Sequence, residues 1–273
     1  YIPSALHGAL KDLANPAYGH QFYLNGGHTV GDACIASSST CTWKSILVGV
    51  LGEGGRTVFA LDVTDPFNFN ASDVLWEYNF DDSRTGTAES GEMGFIKGAP
   101  QVVRLNNGDW GVVFANGYNS DSDQAQIFIL DAEDGTEIAV FNTNIGDAAN
   151  ENGMATPLII DEDGDRIADT IYSGDLFGNL FKFDITDSDA NNWGTVFEAS
   201  GPQPKDADPL YQALDASDVP QAITTKPTIV VNPESGFNII FGTGKYIETS
   251  DTVVLTPYQV ETMYSIWDDD NDI

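Results

Sequence analysis

The chain has 273 residues, 41% apolar and 11% aromatic, which is enough for a packed core and too apolar for a disordered acidic tail. Eleven Lys+Arg stand against 42 Asp+Glu, a formal net charge of −31, and like-charge repulsion argues against nucleic acid or an anionic membrane surface as a partner. No apolar run approaches the roughly 18 residues of a membrane-spanning helix, and Tyr1 follows no signal peptide, so the expectation is an excised piece of a longer chain.

In chain order, Ser4 to Leu13 reads as a short helix that Pro16 stops. His7, His20 and His28 fall in the first 28 residues with nothing to make them a triad or a metal set. Cys34 and Cys41 are seven positions apart in a Ser-rich loop. That spacing reads as a small disulfide formed in an oxidising compartment, with two unrelated buried thiols as the alternative.

Three alternating apolar runs then close on Asp: Val58-Phe59-Ala60-Leu61-Asp62, Ile127-Phe128-Ile129-Leu130-Asp131 and Leu180-Phe181-Lys182-Phe183-Asp184, with Tyr264-Ser265-Ile266-Trp267-Asp268 a looser fourth. Short runs rich in aromatic and β-branched residues predict strands. Each of the first three is followed by turn residues, and each of the four is preceded by a strand ending in glycine: Gly49, Gly117, Gly174 and Gly242. Strands opening on Pro100, Pro157 and Pro227 come before the last three of these, and Pro100 to Gly117 and Pro157 to Gly174 both span 17 positions. Val74 to Tyr78 and Thr195 to Glu198 supply fourth strands. The prediction is an all-β fold, a β-propeller of four-stranded antiparallel blades, forming one domain over residues 1–273 with about four recognisable blades. A β-sandwich is disfavoured because it does not repeat a motif in register.

The candidate site is the loop Asp161-Glu162-Asp163-Gly164-Asp165-Arg166-Ile167-Ala168-Asp169. Asp161, Asp163, Asp165 and Asp169 take positions 1, 3, 5 and 9, and Ile167 can offer its carbonyl from position 7. Alternate spacing lets a curled loop turn odd-numbered oxygens inward, and Ca²⁺ takes six to eight hard oxygen ligands. Strands flank the loop, glycine is at position 4 with Arg166 at 6, and Tyr172 stands at 12, so this is a hairpin calcium loop and not an EF-hand. The alternative is a solvated acidic turn in an acidic protein. Two more acidic stretches, Asn116 to Asp123 and Asp268 to Asp272, read as a polar hairpin connection and a solvated terminal loop. No nucleophile elbow, phosphate-cradling loop or zinc-protease motif occurs, and Gly49 to Gly55 and Phe241 to Tyr246 read as turns, so no enzyme is expected.

The stretch Thr156 to Asp184 resembles the C-terminal propeller domain of the PilY/PilC family of type IV pilus proteins. Further similar blocks are Tyr18 to Tyr23, Gly52 to Arg56 with Phe59 to Asp62, Gly108-Asp109-Trp110 with Asn116 to Ser120, and Phe241 to Tyr246, so the resemblance runs through nearly the whole chain. It implies a modified propeller at the pilus tip or outer cell surface, associated with the outer membrane. The partners it implies are pilin or minor pilins and a host or abiotic surface. It also implies roles in pilus assembly, in adhesion and in calcium-controlled extension and retraction, with the calcium loop on Asp161, Asp163, Asp165, Ile167 and Asp169. Two other readings stay open: a quinoprotein-like propeller dehydrogenase, and a salt-adapted structural surface domain without specific ion binding.

Overall fold

The structure, a computed structural model, describes residues 1–35, 41–79, 92–198, 206–253 and 259–269. Residues 36–40 of the predicted Ser-rich loop and 270–272 of the terminal acidic run lie outside the described residues. Where a helix is expected near the start, two separate 3-10 turns form, Ser4–Leu6 and Leu10–Ala14, with Gly8, a poor helix former, between them.

The rest is β, in four antiparallel sheets that follow one another along the chain. The first sheet holds β1 (His28–Ile35), β2 (Thr42–Val50), β3 (Thr57–Asp62) and β4 (Val74–Asn79) in sequential order. The second holds β5 (Gln101–Arg104), β6 (Trp110–Ala115), β7 (Gln126–Asp131) and β8 (Glu137–Asn142). The third is built from β9 (Leu158–Ile160), β10 (Thr170–Gly174), β11 (Asn179–Asp184) and β12 (Gly194–Thr195), and β13 (Tyr211–Gln212) also pairs with β11. The fourth contains β14 (Thr228–Val231), β15 (Phe237–Gly242) and β16 (Met263–Asp268). Up-and-down sheets repeated in sequence are the propeller architecture that the repeats predict.

Two strands differ from expectation. β1 was not anticipated: its outward face mixes His28, Val30 and Asp32, and Gly31 interrupts it, because a Cβ there would meet the Val102 side chain at 2.8 Å. Cys34 therefore lies on a strand rather than in a loop, and it is bonded to Cys41 across the β1–β2 hairpin with Cα atoms 5.5 Å apart. The predicted strand Thr195 to Glu198 pairs regularly only through Gly194–Thr195; beyond it Glu198 bridges Ala207.

Each sheet junction has its own core. Between the first and second sheets, Trp76, Tyr78, Phe114 and Phe128 are buried, and the two phenylalanine rings stack 5.4 Å apart. The indole of Trp76 donates to the Ala132 carbonyl at 3.1 Å, and Gly135 (φ +75°) turns beneath it at a point where a Cβ would strike the ring. Phe141, Ile171, Phe181 and Phe183 fill the second junction, while Tyr172, Leu180, Ile223, Ile239 and Phe241 fill the third. Burying one such side chain contributes roughly 1.5–3 kcal/mol. β5 shows why the alternation works: Val102 packs toward the first sheet and its neighbour Val103 toward the third.

The repeated strand-closing aspartates have a common task in three sheets. The Oδ1 atoms of Asp62, Asp131 and Asp184 accept the amide two residues on, at 3.0, 2.6 and 2.8 Å, and so open the next turn. The fourth, Asp268, is buried instead: Lys182 Nζ lies 3.1 Å from its Oδ2, and the Tyr172 hydroxyl donates to the same oxygen at 2.6 Å. This corrects the reading of Asp268 as the start of a solvated loop, because the lysine placed between two core phenylalanines on β11 needs a carboxylate facing it.

Candidate metal centre

The loop between β9 and β10 curls because its own carboxylates accept its backbone amides. Asp161 Oδ1 accepts from Gly164 N at 2.7 Å and Asp165 N at 3.2 Å, and its Oδ2 accepts from Arg166 N at 2.8 Å. Asp163 takes the Asp165 amide at 3.0 Å, Asp165 takes that of Ile167 at 2.7 Å, and Asp169 takes that of Glu162 at 2.8 Å across the loop mouth. Gly164 (φ +84°) and Arg166 (φ +72°) both adopt the left-handed conformation. Glycine adopts it freely, whereas the arginine pays about 1–2 kcal/mol.

This curl brings one oxygen each of Asp161, Asp163 and Asp169 within 4.8 Å of one another. Ligands of a Ca²⁺ ion bound at 2.3–2.6 Å can be separated by about twice that distance, so the three oxygens fit around one ion. Asp165 stands outside this group and spends an oxygen on the Ile167 amide. Ile167, two residues on, lines a groove beside the loop. The group forms the only cluster of three or more candidate metal ligands among the described residues.

Sequence reasoning missed the clamp that holds the loop. Asn106, in the β5–β6 turn of the second sheet, donates from Nδ2 to the carbonyls of Ala168 at 2.9 Å and Ile185 at 3.1 Å, and approaches Asp169 Oδ1 at 3.4 Å. The Ala168 amide donates to the Arg104 carbonyl at 2.9 Å. Asn106-Asn107-Gly108-Asp109 carries only turn chemistry in the sequence, and nothing local says that its first amide reaches the next sheet.

The other acidic stretches have structural partners. Asn116 is buried; its Oδ1 accepts the amides of Gln126 and Met154 at 3.1 and 3.2 Å, and Arg56 holds Asp121 at 2.8 Å. Near it Asp175 accepts from the Asn152 and Asn179 amides at 2.9 and 2.8 Å; burial pushes its carboxyl above the usual range, against the pull of these bonds. Lys245 in the last glycine-rich turn lies 3.5 Å from Glu248 and 3.7 Å from Asp251, and His7 Nε2 lies 3.2 Å from the Ile2 carbonyl.

Comparison with known proteins agrees with the architecture. The family model of the PilY1 β-propeller domain matches residues 2–272. The type IV pilus biogenesis factor PilY1 homolog of Xylella fastidiosa is 37% identical over 276 residues, covering 98% of this chain and 18% of that protein. PilY1 of Pseudomonas aeruginosa is 37% identical over 280 residues, covering 98% of this chain and 23% of that protein. The crystal structure of the P. aeruginosa PilY1 C-terminal domain superposes with a TM-score of 0.79 at 34% identity, covering the whole of this chain and 53% of that one. The chain thus spans about a fifth of the length of these curated relatives, and it belongs to the PilY1 β-propeller domain family.

Proposed function

We propose that this domain is the propeller of a type IV pilus biogenesis factor, exposed at the pilus tip or the outer cell surface, and that loop 161–169 binds one Ca²⁺. Asp161, Asp163 and Asp169 would hold the ion, with the Ile167 carbonyl and, after a small shift, Asp165 completing the oxygen set. The observation that carries this reading is the convergence of three carboxylate oxygens within 4.8 Å, presented by two sheet strands and clamped by Asn106. Three carboxylates this close repel one another, and a divalent cation cancels that repulsion. Calcium would close the hairpin and stiffen the edge of the third sheet, so that loaded and empty forms present different surfaces to pilins, minor pilins or a host or abiotic surface. Such a difference is what control of pilus extension and retraction, and of adhesion, requires. The name that the relatives carry, pilus biogenesis factor, supports a pilus role and gives no catalytic one.

The test is calorimetric titration of chelator-stripped protein with Ca²⁺ and then Mg²⁺, beside an Asp161→Ala/Asp163→Ala variant. One saturable Ca²⁺ site, lost in the variant and not matched by Mg²⁺, is expected. Weak, unsaturable uptake that is identical in both proteins would leave an acidic surface loop, and the calcium reading would fail.

A further inference from the structure

A groove of about 240 Å³ opens beside the metal loop, between β5 of the second sheet and β9 of the third. Its floor and walls are mostly apolar, with Val102, Trp110, Ile159 and Ile167 among them, and Arg104, Arg166 and Asp161 of the metal loop also line it. The edge of the Trp110 ring contacts the exposed Trp43, 5.6 Å away, which extends the apolar surface outward.

The two arginines stand out by how the chain treats its other cations. Lys44, Arg56, Lys97, Lys182 and Lys245 each lie within 4 Å of a carboxylate, and Lys226 donates to Gln101. Among the described residues only Lys11, Arg104 and Arg166 have neither kind of partner, and two of these three line one groove. In a chain with 42 acids and a net charge of −31, neither of these two guanidinium groups has a carboxylate within 4 Å, although Asp161 of the metal loop lines the same groove. Arg166 also occupies a left-handed position that glycine would adopt without strain. A guanidinium is built for bidentate contact with a carboxylate, and unlike a lysine it also stacks on apolar and aromatic surfaces.

We propose that this groove takes an acidic segment of a partner protein, whose carboxylates Arg104 and Arg166 grip while its apolar side chains rest on Trp110 and Ile159. Calcium in the adjacent loop admits the segment, and this part of the inference rests on the calcium reading above. With the loop empty, Asp161, Glu162, Asp163, Asp165 and Asp169 place five negative charges beside two positive ones, and an incoming carboxylate is repelled. A bound Ca²⁺ cuts that local sum from −3 to −1 and so weakens the repulsion that the guanidinium groups must overcome. Charges farther away than about 8 Å are screened at physiological salt, so the local balance decides. The loop and the groove also share backbone, since Ala168 is hydrogen-bonded to the carbonyl of Arg104.

The probe is a fluorescein-labelled peptide of alternating Glu and Leu, with its Gln-for-Glu counterpart as control, followed by anisotropy in millimolar Ca²⁺ and in chelator. The Glu peptide should bind the calcium-loaded chain at least about tenfold more tightly than the Gln peptide. It should lose about that factor in chelator, and again in Arg104→Gln/Arg166→Gln, both exposed positions whose change leaves the circular dichroism spectrum intact; each protein is compared at calcium concentrations that saturate its own loop. Equal binding of the two peptides, or of the wild type and the double variant, overturns the groove proposal. Inorganic phosphate binding through the same arginines with no gain for the peptide also overturns it, in favour of a small-anion site. Glu-peptide binding through the arginines that ignores chelator removes the calcium gate and keeps the groove. A calcium site that titrates normally beside a groove that binds nothing leaves the metal reading intact and ends this one.

Discussion

The 161–169 loop and the Lys182–Asp268 pair handle the same problem, a carboxylate near the junction of two sheets, in opposite ways. In the loop, three acids converge at or near the surface, satisfied by amides from their own turn and, as we propose, by an ion that can come and go. At the third junction a single acid is buried with side-chain exposure of 3%, and the chain supplies its own cation on the facing strand together with a tyrosine hydroxyl. Exposure makes the first arrangement reversible, and burial makes the second permanent, because an unpaired charge in a low-dielectric interior costs several kcal/mol. One site is suited to sensing and the other to holding sheets together.

The largest expected effect comes from breaking the permanent pair. Lys182→Ala removes the cation that lies 3.1 Å from buried Asp268 and should cost about 3–5 kcal/mol in urea unfolding. Lys182→Met with Asp268→Leu should recover most of that loss, apart from the Tyr172 hydroxyl left without its acceptor, at about 1–3 kcal/mol. If the single variant costs less than 1 kcal/mol, the contrast between the two sites collapses.

The loop should respond to its medium instead. Calcium at about one hundred times its dissociation constant should stabilise the wild type by about 2.7 kcal/mol, and Asp161→Ala should abolish that gain, whatever metal-free stability the loss of its three amide bonds also costs. A calcium-dependent melting curve that survives Asp161→Ala would place the ion elsewhere. Smaller again is the clamp: Asn106→Ala strips partners from two buried carbonyls and should cost about 1–2 kcal/mol. It should also weaken calcium binding, and unchanged affinity would show that the loop is ordered without the second sheet.

The smallest effect belongs to a third carboxylate that lies between these extremes. Glu77 on β4 accepts from the Ser4 amide at 3.0 Å and from the hydroxyls of Ser4 and Tyr1. Burial raises its carboxyl, but these bonds outweigh burial and hold it below its usual range. Its contribution is therefore complete above about pH 4.3 and fades as pH falls through the depressed value. Limited proteolysis should release the first residues more readily on going from about pH 5 to 3, by a few tenths of a kcal/mol at this exposed pair, and Glu77→Gln should flatten that dependence.

The repeat was legible in the sequence because strands β3, β7 and β11 are buried on both faces and carry apolar runs, interrupted in β11 by Lys182 alone, that a turn-making Asp closes. β1 was not, since half its residues face outward and its glycine is set by a neighbour on another sheet. At the site the odd-numbered aspartates announced a curled oxygen-lined loop, but not that Asp165 would turn to a backbone amide outside the group of three. Asp268 resembled Asp62, Asp131 and Asp184 in its strand, and only its opposite number tells it apart.

By itself, then, the sequence determined what is local: the period of two along each strand, the turn residues, the disulfide spacing and the acid content of the loop. Such features depend on neighbours a few residues away, which the chain order contains. Tertiary structure alone decided which amide of the second sheet clamps the loop, which lysine meets Asp268 and which two arginines share a groove. Those contacts join residues some 62 to 86 positions apart; whether a charge there is exposed, paired or free depends on how the sheets dock, and no local pattern encodes it.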